Sequence, residues 1–159
     1  MMFFKSDVLD FAKNNLDEIL DQMGPTATGA FLGAATEIMA AEQAGSKHED
    51  GRGYDFTHPN PKYGKVEVKS TSIIQKSKTF RVQSLASKRN KCKYFQIHDL
   101  HFGRAFRIPH DILFNDMVLY EGDDELRWSA SYNKIDGKRP IQPVNTKILE
   151  DHEITHDFN

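Results

Sequence analysis

At 159 residues the chain is long enough for one sizeable hydrophobic core and short for two. Its 38% hydrophobic and 28% charged residues are those of a soluble globular protein, and no apolar run approaches the roughly 20 residues that span a bilayer. The net charge of -2 hides an asymmetry: residues 65–93 carry nine basic side chains against one acidic one, Glu67, so the flanking chain is strongly acidic. A basic centre between acidic ends suits a surface that meets a polyanion.

The single cysteine, Cys92, excludes an internal disulfide and Cys-rich zinc sites, and it reads as a small residue near a strand start. The first four residues are apolar, but no basic flank or longer apolar segment marks a secretory signal, so the expected location is the cytoplasm.

Val8, Phe11, Ala12, Leu16, Ile19, Leu20 and Met23 recur at helical spacing and predict an amphipathic helix over 6–23, with Ser6 as its N-cap. Gly24-Pro25 breaks it, and a second helix follows over about 27–44, capped by Thr26 and ended by Gly45. Ala30, Gly33, Ala34, Ala40, Ala41 and Ala44 give this helix a small-residue face that lets its backbone approach a sheet. Glu37 lies within that face, where a carboxylate is either a costly buried charge or one with a partner such as a metal ion.

After a polar loop at 46–53, Tyr54-Asp55-Phe56 starts a first strand, with Asp55 opposite its aromatic neighbours. The Pro- and Gly-rich turn 58–64 leads to a second strand over 65–71, and the two form a hairpin. A third strand is predicted over 79–85, a basic connection or helical turn over 86–91, and a fourth strand over 93–100 with Tyr94, Phe95 and Ile97 in the core. Arg104 to Pro109 reads as a further strand and Pro109 as the start of a helix over 110–119. Residues 127–133 alternate as a strand, and Gly137, Pro140 and Pro143 argue for irregular chain beyond 136.

On the second strand Glu67 and Lys69 point one way, and Val66 and Val68 the other. Glu-x-Lys alone is uninformative, since chance supplies it about once in every two chains of this length. Its context gives it meaning. Asp55 and Glu67 are hard oxygen ligands of the kind magnesium takes, the Val68 carbonyl is available on the same strand, and Lys69 lies where it could orient or help deprotonate a metal-bound water. His98 and His101 fall on opposite sides of a strand end and make a poor metal pair, and His58 lacks the partners of a histidine-based nuclease motif. No glycine-rich phosphate loop or Gly-x-Ser-x-Gly turn is present.

Glu37 on a helix, Asp55 on one strand and Glu67-Val68-Lys69 on the next resemble the PD-(D/E)XK nuclease superfamily, over roughly residues 26–109. Tyr54 stands where the proline of the family's label would be, and the connection between the third and fourth strands is short for the family's second helix. The resemblance implies an α/β, restriction-endonuclease-like fold: a central mixed sheet of about five strands flanked by helices. It implies one nuclease domain over 1–159, with a core at about 26–109, an N-terminal helix at 6–23 and a C-terminal extension from about 121.

The implied activity is Mg2+-dependent hydrolysis of phosphodiester bonds in double-stranded DNA, with Mn2+ able to substitute. Asp55 and Glu67 would hold the metal with the Val68 carbonyl, Lys69 would serve the attacking water, and Glu37 would stand behind the metal or bind a second one. Lys76, Lys78, Arg81, Gln83, Lys88, Arg89 and Lys91 are the expected DNA contacts, taken together. A sequence-specific type II restriction-like or mobile-element enzyme acting as a homodimer is favoured over a Holliday-junction resolvase or a repair nuclease of the same fold, and over a nuclease-fold protein that only binds nucleic acid.

Overall fold

The computed structural model describes residues 5–49, 53–70, 79–82, 85–100, 103–122, 125–131 and 143–155. It opens with α1 (Lys5–Asn14) and α2 (Leu16–Gln43). The predicted helix over 6–23 is therefore divided at Asn15, whose side-chain amide donates back to the Phe11 carbonyl at 2.9 Å. The division changes which residues face inward. Leu9 and Ala12 are buried against Leu32, Met39 and Leu100, whereas Phe11 and Met23, predicted for the core, are 63% and 50% exposed.

Gly24 kinks α2 with a φ of +78°, two residues before the predicted cap Thr26. Pro25 follows at a position where its missing N–H costs little. The far end of α2 closes as the sequence suggests. Gly45 adopts a φ of +73°, its N–H bonds the Glu42 carbonyl, and the Ser46 N–H bonds the Ala41 carbonyl, the pair of bonds of a Schellman stop. The small-residue face is only partly used: Ala40 and Ala41 are fully buried, while Ala30 and Ala34 are exposed.

The central sheet runs in the order β1 (Phe56–Thr57), β2 (Lys65–Ser70), β4 (Tyr94–Asp99), β5 (Arg104–Pro109). β1 and β2 form the predicted antiparallel hairpin, β2 and β4 are parallel with Glu67 opposite Phe95, and β4 and β5 are antiparallel. A parallel pair needs a crossover of a dozen or more residues. The predicted third strand lies inside that crossover and does not join the sheet. β3 (Thr79–Val82) pairs instead with β7 (Glu125–Ser131), which also pairs with β6 (Tyr120–Gly122). Among the described residues the mixed sheet thus has four strands, beside a separate three-stranded ribbon.

Each sheet face has its own core. Ala40 and Ala41 of α2 pack on Phe56, Val66 and Val68 on one face. On the other, Phe95, Ile97, Phe106 and Ile108 meet Val82, Leu85, Leu113, Met117, Ile148 and Leu149. Fully burying each such side chain contributes about 1.5–3 kcal/mol. Leu113 comes from α3 (His110–Asp116), and Ile148 and Leu149 from α4 (Pro143–Asp151). Helix α4 corrects the expectation of irregular chain beyond 136, because Pro143 occupies the first helical position, where proline is compatible with a helix. Asn145 fixes α4 to residue 118 by accepting from the Val118 N–H at 2.8 Å and donating to its carbonyl at 3.1 Å.

Candidate active site

The site forms at the outer edge of β2, where β1 stops after two residues. Asp55 continues the pairing through its backbone N–H, 2.9 Å from the Val66 carbonyl. Its side chain then takes over from the backbone, and Oδ2 accepts a 2.7 Å hydrogen bond from the Val68 N–H. The N–H and C=O of one strand residue point the same way, so the Val68 carbonyl lies on this edge as well.

Glu37 reaches the edge from α2, one turn before the alanines that seat the helix on Val66 and Val68. His48 completes the group. Its Nε2 lies 3.2 Å from Glu37 Oε2 and 3.8 Å from Asp55 Oδ1, and ligand atoms of the three residues fall within 4.8 Å of one another. The loop that carries His48 is fastened on both sides: Ser46 Oγ donates to the Thr57 carbonyl at 2.7 Å, and the Glu49 N–H to the Asp55 carbonyl at 2.6 Å. Sequence reasoning missed His48, whose polar loop has no periodicity to give its direction.

Glu67 and Lys69 share the opposite face from Val66 and Val68, as alternation predicts. Glu67 is only 3% exposed. Its Oε1 receives two ammonium groups, Lys69 Nζ at 3.5 Å and Lys88 Nζ at 3.3 Å, while Oε2 is buried with no hydrogen-bond partner among the described residues. Burial pushes the Glu67 carboxyl above its ordinary range and the charge of Asp55 adds to this, while Lys69 and Lys88 oppose it. Burial also raises the Asp55 carboxyl. The Val68 hydrogen bond opposes that shift, Glu37 reinforces it, and His48 and Lys88 oppose it. Two neighbouring carboxylates are therefore short of positive charge, and one has an oxygen free to take it. These residues fit a hard divalent cation.

The predicted DNA contacts divide. Lys88 turns inward onto Glu67 from the turn at Ala86–Lys88. The exposed Arg89 guanidinium lies 4.5 Å from the Phe114 ring centroid, and exposed Lys91 extends over Gly53. Lys91 also lines, with Lys65, Lys93, Tyr94 and His110, a cleft of about 640 Å3 at the start of β2 and β4. Lys76, Lys78 and Gln83 lie outside the described residues, as does the side chain of Arg81, whose backbone pairs with Ser129.

The remaining titratable candidates have structural roles. His98 is buried against the Gln96 side chain at 2.9 Å, and burial, then the Arg107 charge, pushes its pKa down to about 4. His101 lies outside the described residues. His58 accepts the Asn60 N–H within the hairpin turn and packs on Tyr63. The Cys92 thiol is pushed up to about 12, chiefly by burial and then by the charge of Glu67.

The mixed sheet with helices on both faces is similar in fold to a solved structure. That structure is a bacterial homing endonuclease, I-Ssp6803I, to which this chain is similar with a TM-score of 0.50 at 17% identity, over 82% of this chain and 95% of that one. No protein-family model and no curated protein matches the sequence. Among the described residues no helix is long and apolar enough to cross a membrane.

Proposed function

We propose that this protein is a metal-dependent DNA endonuclease of the PD-(D/E)XK type, cutting duplex DNA at specific sequences as a homodimer. The observation that carries the reading is the pair Asp55 and Glu67. Both are buried and pushed toward protonation, and they stand beside a lysine-paired oxygen and an unsatisfied one at an open sheet edge. The similarity in fold to a homing endonuclease supports it.

In this reading Asp55, Glu67 and the Val68 carbonyl would hold Mg2+, with Glu37 alongside, and the ion would supply activation of the attacking water and offset charge on a phosphoryl oxygen. Lys69, kept beside Glu67 by their ion pair, donates a hydrogen bond to the attacking water and holds it in line with the phosphorus. Lys88 brings a second ammonium to the same carboxylate, where it offsets the charge of the arriving phosphate. Arg89 and Lys91, with the exposed lysines of the cleft, carry the DNA backbone past the site.

The test is incubation of the purified protein with plasmid, branched DNA and single-stranded DNA, each with Mg2+ and with excess chelator. Discrete plasmid fragments that require the metal are expected. Cleavage of branched DNA alone would replace the duplex substrate with a junction, and full activity in chelator would overturn the metal assignment.

A further inference from the structure

We infer that His48 is a direct metal ligand, so that the site binds a first-row transition cation such as Mn2+ in preference to Mg2+. The inference rests on the proposed assignment of Asp55 to a metal and adds which metal chemistry the edge selects.

Three observations converge. The Nε2 atom of His48 faces two carboxylates, 3.2 Å from Glu37 Oε2 and 3.8 Å from Asp55 Oδ1, and the three donors lie within 4.8 Å of one another. One cation placed among them would have one imidazole and two carboxylate ligands. The loop is also pinned on both sides of the histidine. Ser46 bonds Ala41 and Thr57, and Glu49 bonds Asp55 through its backbone and Thr57 through its carboxylate. Residues fastened to Asp55 itself and to Thr57 of β1 thus hold the imidazole at the site. Finally, the neighbouring Glu67 Oε2 is buried without a partner, in a side chain 4% exposed, so the cluster has more acceptor capacity than its own cations satisfy.

A salt bridge from His48 to Glu37 needs only one of these two contacts. A ligand explains why the same nitrogen faces both carboxylates. Metal binding requires the Nε2 lone pair, which leaves the ring proton on Nδ1. Magnesium favours oxygen and gives up its waters reluctantly, whereas imidazole suits first-row transition metals, so the nitrogen is what discriminates.

The experiment uses the full chain without DNA and Mn2+ alone as the probe. Pulsed electron paramagnetic resonance of the Mn2+ complex should show coupling to a directly coordinated nitrogen in the wild type, lost in both His48→Gln and His48→Ala. Mn2+ affinity should fall by about 10-fold or more in either variant, while Mg2+ affinity, read by competition, changes less than about 3-fold. The Gln variant retains an amide that can donate to Glu37, and metal-free thermal unfolding verifies that it is folded. A wild-type complex without nitrogen coupling, or Mn2+ affinity unchanged by both substitutions, overturns the inference. Nitrogen-coupled Mn2+ in a protein that cuts no DNA would leave this inference standing and remove the nuclease reading.

Discussion

The observed hydrogen bond of Asp55 to Val68 and its proposed role as a metal ligand are separable, and replacing Asp55 by Asn or by Ala distinguishes them. The carboxylate accepts the Val68 N–H at 2.7 Å, and the side chain is 13% exposed. Asn keeps an oxygen for that bond and loses only the charge. Ala leaves the N–H buried and unpaired, which costs about 1–3 kcal/mol. For a chain of this size that separates the melting temperatures of the two variants by roughly 3–9 °C.

The carboxyl is raised by burial and by Glu37, so in the fold it holds a proton at pH values where the unfolded chain has released it. The associated stability is complete below the ordinary carboxylate range and is lost as pH rises through the raised value. The metal-free Asp55→Asn variant is therefore expected to be at least as stable as wild type at pH 7, with its relative gain growing as pH rises from about 4. Both variants should lose cleavage. At ten times its dissociation constant a divalent cation should stabilise the wild type by about 1.4 kcal/mol and both variants by much less. Thermal and urea unfolding with and without Mg2+, alongside plasmid cleavage, measure every term. Equal destabilisation by Asn and Ala, or wild-type cutting by the Asn variant, would refute the argument.

Lys69→Ala should lower cleavage by about 100-fold or more while leaving DNA affinity within a few-fold, and quenched-flow cutting with filter binding separates the two. Lys88→Met removes a charge that pulls both carboxyls down, so Asp55 and Glu67 should titrate higher by carboxyl-carbon NMR; unchanged titration would show that Lys88 does not act on them. Cys92, with its thiol raised to about 12, should resist iodoacetamide at pH 8 in the native protein and react on unfolding. Replacing Arg89 and Lys91 by Gln should reduce the magnitude of the slope of log affinity against log salt by up to about 2, and an unchanged slope would place them away from DNA.

What the sequence makes legible is what is encoded by short-range periodicity. Alternation alone puts Glu67 and Lys69 on one face of β2, and the helix stop at Gly45 follows from the left-handed geometry that glycine tolerates. Features set by long-range pairing are not legible in this way. The strand at Thr79–Val82 is recognisable, but its partner is Glu125–Ser131, more than 40 residues later, and local pattern cannot choose that partner over β2. Lys88 reads as one of several exposed basic residues. Its inward direction comes from the 3-10 turn that follows fully buried Leu85. His48 is the sharpest case, since its position depends on bonds from its neighbours to Ala41, Asp55 and Thr57.

The shortness of β1 connects fold to site. A longer first strand would occupy the β2 edge beyond Val66 with backbone partners, and the Val68 N–H and carbonyl would be consumed by the ladder. Because β1 is confined to Phe56–Thr57, a side chain takes that N–H instead, and the carboxylate doing so is brought within reach of Glu37 and His48. The cost is visible in the raised carboxyls and the unsatisfied Glu67 oxygen. An apolar residue in place of Asp55 would avoid the desolvation but leave the Val68 N–H without its acceptor. Replacing Asp55 with Val should give a protein that binds no divalent cation and whose metal-free stability falls, as for Asp55→Ala, by the cost of the unpaired Val68 N–H. Calorimetric titration alongside thermal unfolding checks both halves. Cation binding undiminished in Asp55→Val would show that the edge left open by β1 is not where the metal is held.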